Sequence, residues 1–139
     1  ETGAVYIQTH SPDHPLFQAI KTMDRDGFLA LELKSRQMTG YPPFGRLTAF
    51  IVSSPNEQAA LQASQQLAMS FATSFLGGEN QTLHGPAPAP LYKLRDHYRY
   101  RLLLKTSQAP HKLLQEWLQN INLPKGVRLD VDIDPQSFF

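Results

Sequence analysis

Residues 92–105, Tyr-Lys-Leu-Arg-Asp-His-Tyr-Arg-Tyr-Arg-Leu-Leu-Leu-Lys, carry the pattern that most restricts how this chain can fold. In an extended strand successive side chains alternate, so Tyr98, Tyr100, Leu102 and Leu104 point one way and Arg99, Arg101, Leu103 and Lys105 the other. Aromatic content favours a strand over an exposed helix. One side is core-like and the other basic, so the strand belongs in a sheet with one covered face. Five positive residues and one acid fall in these fourteen positions, although the whole chain carries only +1. The charge is local, as a phosphate-binding surface requires. The same charges would also serve simply to keep a sheet face soluble.

Other segments supply the rest of a sheet. Val127, Leu129, Val131 and Ile133 alternate with Arg128, Asp130, Asp132 and Asp134, the cleanest strand signal in the chain. Residues 47–53 form another apolar strand. Pro55 precedes an amphipathic helix over 56–76, with Ala60, Leu61, Leu67, Ala68, Phe71, Ala72 and Phe75 on its buried stripe and Gly77-Gly78 ending it. Residues 83–91 are extended because alternating prolines cannot donate ladder hydrogen bonds, which suits a sheet edge. A second helix over 108–122 carries Leu113, Leu114, Trp117, Leu118 and Ile121. Residues 47–134 therefore read strand, helix, strand, strand, helix, strand. The expected fold class is α+β: a split βαββαβ antiparallel sheet with two helices on one face.

Ahead of it, residues 4–9 read as a short strand without an evident partner. Ser11-Pro12-Asp13 predicts a helix start and a helix through Thr22, and Asp24 caps a second helix reaching Arg36. Tyr41-Pro42-Pro43-Phe44 is a stiff connector whose two aromatics are expected to dock on neighbouring surfaces. The chain thus divides into residues 1–15, a helical connector over 16–46, and a domain over 47–139.

The sequence is poor in enzyme chemistry. There is no cysteine, hence no disulfide, thiolate metal site or cysteine nucleophile, which fits a cytoplasmic setting. No serine lies in a Gly-x-Ser-x-Gly turn, and Gly77-Gly78 lacks the lysine and hydroxyl of a phosphate loop. No apolar run reaches membrane-spanning length. His10 and His14 are spaced like a metal pair, but Ser11-Pro12 interrupts the helix that spacing needs, so a solvated turn is the simpler reading. Asp130, Asp132 and Asp134 lack the glycine and distant glutamate of a calcium loop and read as a solvated face or partners for arginines.

The basic stretch remains. As a nucleic-acid surface, Lys93, Arg95, Arg99, Arg101 and Lys105 would meet phosphates and Tyr92, with His97, would stack on bases. Tyr98, Tyr100 and Trp117 are core candidates instead. The competing readings are a module whose basic face receives an acidic peptide tail, and a structural brace built on Tyr41-Pro42-Pro43-Phe44.

Several segments, in order, resemble the C-terminal end of the bacterial primosomal protein N′ family of replication-restart helicases. They are Val5-Tyr6-Ile7-Gln8-Thr9-His10-Ser11-Pro12-Asp13-His14-Pro15, Tyr41-Pro42-Pro43-Phe44, Gly85-Pro86-Ala87-Pro88-Ala89-Pro90, residues 98–105, and Asp130-Val131-Asp132-Ile133-Asp134-Pro135. The resemblance implies that residues 1–15 are the trailing edge of a second helicase lobe and 47–139 a DNA-binding domain for branched and single-stranded DNA at stalled forks. It implies no catalytic residue, metal or cofactor in this segment. ATP with magnesium, and structural zinc, are implied for upstream parts of a longer helicase. The implied partners are DNA, other primosome proteins and the acidic tail of single-stranded-DNA-binding protein, for which Lys112 and His111 are the available basic residues.

Overall fold

The computed structural model describes residues 3–74 and 81–136, apart from the side chain of Leu113. The chain divides into two units, Glu1–Thr39 and Gly40–Phe139.

In the first unit, α1 spans Pro15–Thr22 and α2 Arg25–Thr39, and neither buries a residue. The first helix starts later than Ser11-Pro12-Asp13 suggests. His14 precedes a proline and is held extended at φ −61°, ψ 135°, so it caps the helix, its Nδ1 accepting from the Leu16 amide at 3.2 Å. Asp24 behaves as expected, its carboxylate accepting from the Gly27 amide at 2.9 Å, and α2 continues to Thr39, beyond Arg36. The strand expected over 4–9 does not form. A strand exists only through a partner's ladder, and strand composition alone does not make one. Val5 and Tyr6 are left 89% and 93% exposed.

The second unit is α+β and follows the expected order. Strand β1 spans Arg46–Ser54, helix α3 Glu57–Ser74, strand β2 Gln81–Leu94, strand β3 His97–Thr106, helix α4 His111–Gln119 and strand β4 Arg128–Ile133. All pairings are antiparallel, and the sheet order is β2-β3-β1-β4. Phe50 and Val52 of β1 and Leu102 and Leu104 of β3 point to one face, where they meet Leu67 and Phe71 of α3 and Leu114 and Trp117 of α4. The buried positions of α3 are Ala60, Ala63, Ser64, Leu67 and Phe71, a helical stripe that leaves Ala72 exposed. Phe75, Leu76, Gly77 and Gly78 lie outside the described residues.

Three departures from the sequence reading have local causes. Helix α4 is shorter than 108–122 because Pro110 disfavours helical backbone at Ala109 and caps the helix itself. The strand expected through 92–105 is interrupted. Arg95 and Asp96, at φ 50° and 59°, form a two-residue turn that assigns Tyr92 and Lys93 to β2 and starts β3 at His97. Finally, β2 is the edge strand expected, but it runs over Gln81–Leu94 rather than 83–91 and carries register shifts between His84 and Ala87 and between Pro88 and Lys93.

The first shift depends on Gly85. It has φ +104°, and a Cβ there would stand 2.7 Å from the Arg101 carbonyl oxygen on β3. Gly126 also has positive φ, at +83°, but nothing lies within 4 Å of its Cβ position. Replacing Gly85 by Ala should therefore destabilise the fold by about 1–3 kcal/mol, and more than the same change at Gly126. Urea midpoints for the two variants check this; equal midpoints would contradict the close approach.

Candidate nucleic-acid interface

In an antiparallel sheet, directly paired residues share a face, so register assembles the surface opposite α3 and α4. Arg99 of β3 pairs with Ser53 of β1, which pairs with Arg128 of β4. Arg101 lies beside Ile51 and then Asp130, and Leu103 beside Ala49 and then Asp132. On the other flank, His84 of β2 pairs with Leu103, and Thr82 with Lys105. The result is a basic column on β3, apolar and small residues on β1, and a mixed column on β4.

Charge pairing inside this surface is uneven. Asp130 is taken by its own strand neighbour, the Arg128 guanidinium at 2.7 Å. Lys105 Nζ sits 5.7 Å from the Tyr41 ring centroid, which gives that aromatic of the Tyr-Pro-Pro-Phe connector its docking place. Arg99 Nη1 donates to the Leu91 carbonyl at 3.3 Å. Arg99, Arg101 and Lys105 are half-buried, while His84 and Arg128 are exposed.

The residues named from the sequence fall in three places. Arg99, Arg101 and Lys105 come together as the alternation requires. Arg95 stands at the hairpin turn, with its carbonyl 2.9 Å from His97 Nδ1. Lys93 pairs with Tyr98, whose neighbours Tyr100 and Leu102 define the helix-covered side, so it faces away from Arg99. There Lys93 reaches the Asp96 carboxylate at 3.6 Å and lies 5.1 Å from the Tyr98 ring centroid. Tyr92 is on that side too. Its hydroxyl donates to the Glu57 carboxylate at 2.5 Å and lies 3.1 Å from the Tyr100 hydroxyl, and its ring meets those of Tyr98 and Tyr100 edge-on. Lys112 and His111 occupy the first turn of α4, exposed. Tyr100 and Trp117 are core, at 7% and 3% exposure.

Two residues of this surface were not among those singled out. Arg128 carries a signal, since the alternation of β4 groups it with Asp130 and Asp132, but which strand lies beside β4 is a matter of topology. His84 carries none, because it precedes the bulge at Gly85.

Two of the three acids, Asp130 within β4 and Asp134 just past its end, partner arginines, and Asp132 is exposed. Asp134 pairs with Arg46 through its side chain, and its backbone N–H donates to the Leu47 carbonyl at 2.8 Å, closing the end of β4 onto the start of β1. The hydrogen bond from Arg46 holds the Asp134 carboxyl below its ordinary pKa, and positive charge from Arg46 and His111 adds to this. Among the described residues, no three His, Asp or Glu side chains gather as a metal site needs. Nor, among them, is any helix long and apolar enough to cross a membrane.

Comparison with known proteins finds relatives over nearly the whole chain. A family model described as the primosomal protein N C-terminal domain matches residues 37–136. Replication restart protein PriA of Synechocystis is 38% identical over 138 residues, which is 99% of this chain and 16% of that protein. The Rickettsia felis protein of the same name is 34% identical, with 99% of this chain and 21% of its own length covered. The one from Bacillus subtilis is 30% identical, with 96% and 17% covered. The chain thus spans about a fifth or less of the length of these relatives.

The Tyr92 hydroxyl bonds to the Glu57 carboxylate, which holds its phenol pKa well above the ordinary value. A raised folded-state pKa means that stability is present while the phenol is protonated and is lost as pH rises above about 10. Tyr92→Phe should therefore lower stability at neutral pH and flatten the alkaline decline, as read by urea unfolding across pH. A variant whose alkaline profile matched wild type would contradict the Tyr92–Glu57 bond.

Proposed function

The chain belongs to the primosomal protein N C-terminal domain family, and from that premise we propose that its second unit binds the phosphate backbone of branched or single-stranded DNA through β3. The observation that carries this reading is the column of Arg99, Arg101 and Lys105 on the face opposite the helices. Along a strand, alternate residues are about 6.7 Å apart. Two nucleotides of a stacked strand rise about 6.8 Å, so a DNA strand running along β3 meets cations in step.

Screening decides whether the acids of β4 spoil this. They lie two strand spacings from β3, about 9.6 Å away, beyond the Debye length of about 8 Å at physiological salt. The arginines of β3 are closer to one another than that length and act on a phosphate together. With a net charge of only +1, the chain attracts DNA through this local field rather than its total charge. Phosphate contacts position DNA without reading its sequence, so selectivity lies in strand and fork shape.

On this reading the chain is an anchoring module. ATP hydrolysis and strand translocation, with their magnesium and zinc, belong to other parts of a longer restart protein. The name shared by the relatives, replication restart protein, fits a module that holds DNA where replication has stopped.

Changing Arg99 and Arg101 together to Gln should weaken single-strand binding and reduce the slope of log K against log salt by about 1.4, at about 0.7 per lost phosphate contact. Lys112→Gln, on α4, should leave the slope unchanged. Fluorescence anisotropy over a salt series measures both. Wild-type binding with an unaltered slope in the double variant would remove β3 as the phosphate surface. Binding of an acidic peptide tail, with no DNA binding at low salt, would move the function to protein interaction.

A further inference from the structure

The end of the β2–β3 hairpin is built differently from the rest of the sheet. The last residue of β1, Ser54, pairs with Tyr98, so His97, the Arg95-Asp96 turn and Leu94 extend past β1 as a two-stranded ribbon. A ribbon of this kind is ordinarily marginal in water. Here its base is tied down: Tyr92 is bonded to Glu57 at the start of α3, and Lys93 is held against Tyr98 and Asp96. The Arg99 guanidinium bridges to the Leu91 carbonyl across it. Yet the ribbon keeps two large apolar side chains in water, Leu91 at 46% and Leu94 at 44% exposure. Around them stand Arg95 and His97, both exposed. By pairing, Leu94 and His97 share a side two residues from Arg99, so the basic column of β3 leads to the apolar tip.

A braced projection that is apolar at its end and cationic at its flanks suits one kind of ligand. Proteins that open stacked bases insert leucine or similar side chains between base steps while cations hold the adjoining phosphates. A peptide groove would need concave apolar surface, whereas this element projects past the end of β1. We infer that the hairpin tip is a wedge that enters DNA at a branch point, with Leu94 placed against the terminal base pair and Arg95 on the flanking phosphate. The inference rests on the phosphate reading of β3 and adds to it a reason for preferring forks to plain strands. Strand and fork share the β3 rail, and only the fork offers an exposed base pair for Leu94.

The test uses the 139-residue chain and a synthetic fork bearing 2-aminopurine at the first paired position of the junction. Controls are the same probe within the duplex and a plain single strand. Wild type should raise junction fluorescence, the mark of unstacking, and should bind the fork more tightly than the single strand. Leu94→Ser should abolish the fluorescence rise and cut the fork preference by roughly fivefold or more, as losing the burial of one leucine side chain would. It should leave single-strand affinity unchanged. Because Leu94 is exposed, its fold should survive, and a circular dichroism melt checks this; Arg95→Gln provides an independent second variant with the same expected loss of preference. Tight fork binding with no junction signal, or a signal untouched by Leu94→Ser, overturns the wedge and leaves the phosphate reading standing. No binding of any DNA at low salt overturns both.

Discussion

Trp117 meets Phe50 of the sheet and Phe71 of α3 edge-to-face, with ring centroids 5.4 and 5.3 Å apart and planes at 88° and 84°. Its indole N–H donates to the Ser70 hydroxyl at 3.1 Å, so burial leaves no polar atom stranded. Through this one side chain α4 is joined to both the sheet and the other helix. The two helices therefore lie on the same face, and the alternation of β1 and β3 follows: even positions meet the helices, and odd positions form the opposite surface. Arg99, Arg101 and Lys105 are aligned because Tyr100, Leu102 and Leu104 are committed to the core.

The sheet's order then separates charge. With β1 between β3 and β4, the basic column and the acidic residues stand on either side of an apolar strand. The acids are largely occupied: Asp130 with Arg128, Asp134 with Arg46. The edge strand β2 adds His84 on one side and, past its bulges, turns Tyr92 toward α3 and Leu94 toward the basic side. Register shifts here re-aim side chains, and the prolines of β2 blunt an edge that would otherwise invite strand addition.

How much of this can be read in the sequence follows from what each signal depends on. Strands β3 and β4 are plain because apolar and charged residues alternate along both, although only β3 buries its apolar face; in β4 Leu129 is half-buried and Val131 and Ile133 are exposed. The βαββαβ order follows from them and the two amphipathic helices. The hairpin turn is invisible because Arg-Asp carries none of the Gly or Asn that mark left-handed turns, so Tyr92 and Lys93 read as part of the basic strand. The bulges at Gly85 and after Pro88 break the period of two, and no pattern argument can then say which side Tyr92 takes. Residues 4–9 have strand composition without a partner, and composition cannot supply a ladder. The neighbours that complete this face of the sheet, His84 and Arg128, come from strand order, a long-range fact that a local pattern does not contain.

The central claim is that DNA lies on the face of β3 that points away from the helices. Backbone amide NMR of the chain titrated with a short single strand tests it most directly, since it locates contact without altering a residue. The account predicts that the largest shifts fall on β3 at Arg99, Arg101 and Lys105 and on His84 beside them, while Leu67, Phe71 and Trp117 stay still. Shifts concentrated on the first turn of α4, or spread through the helix-covered core with β3 unmoved, would contradict it.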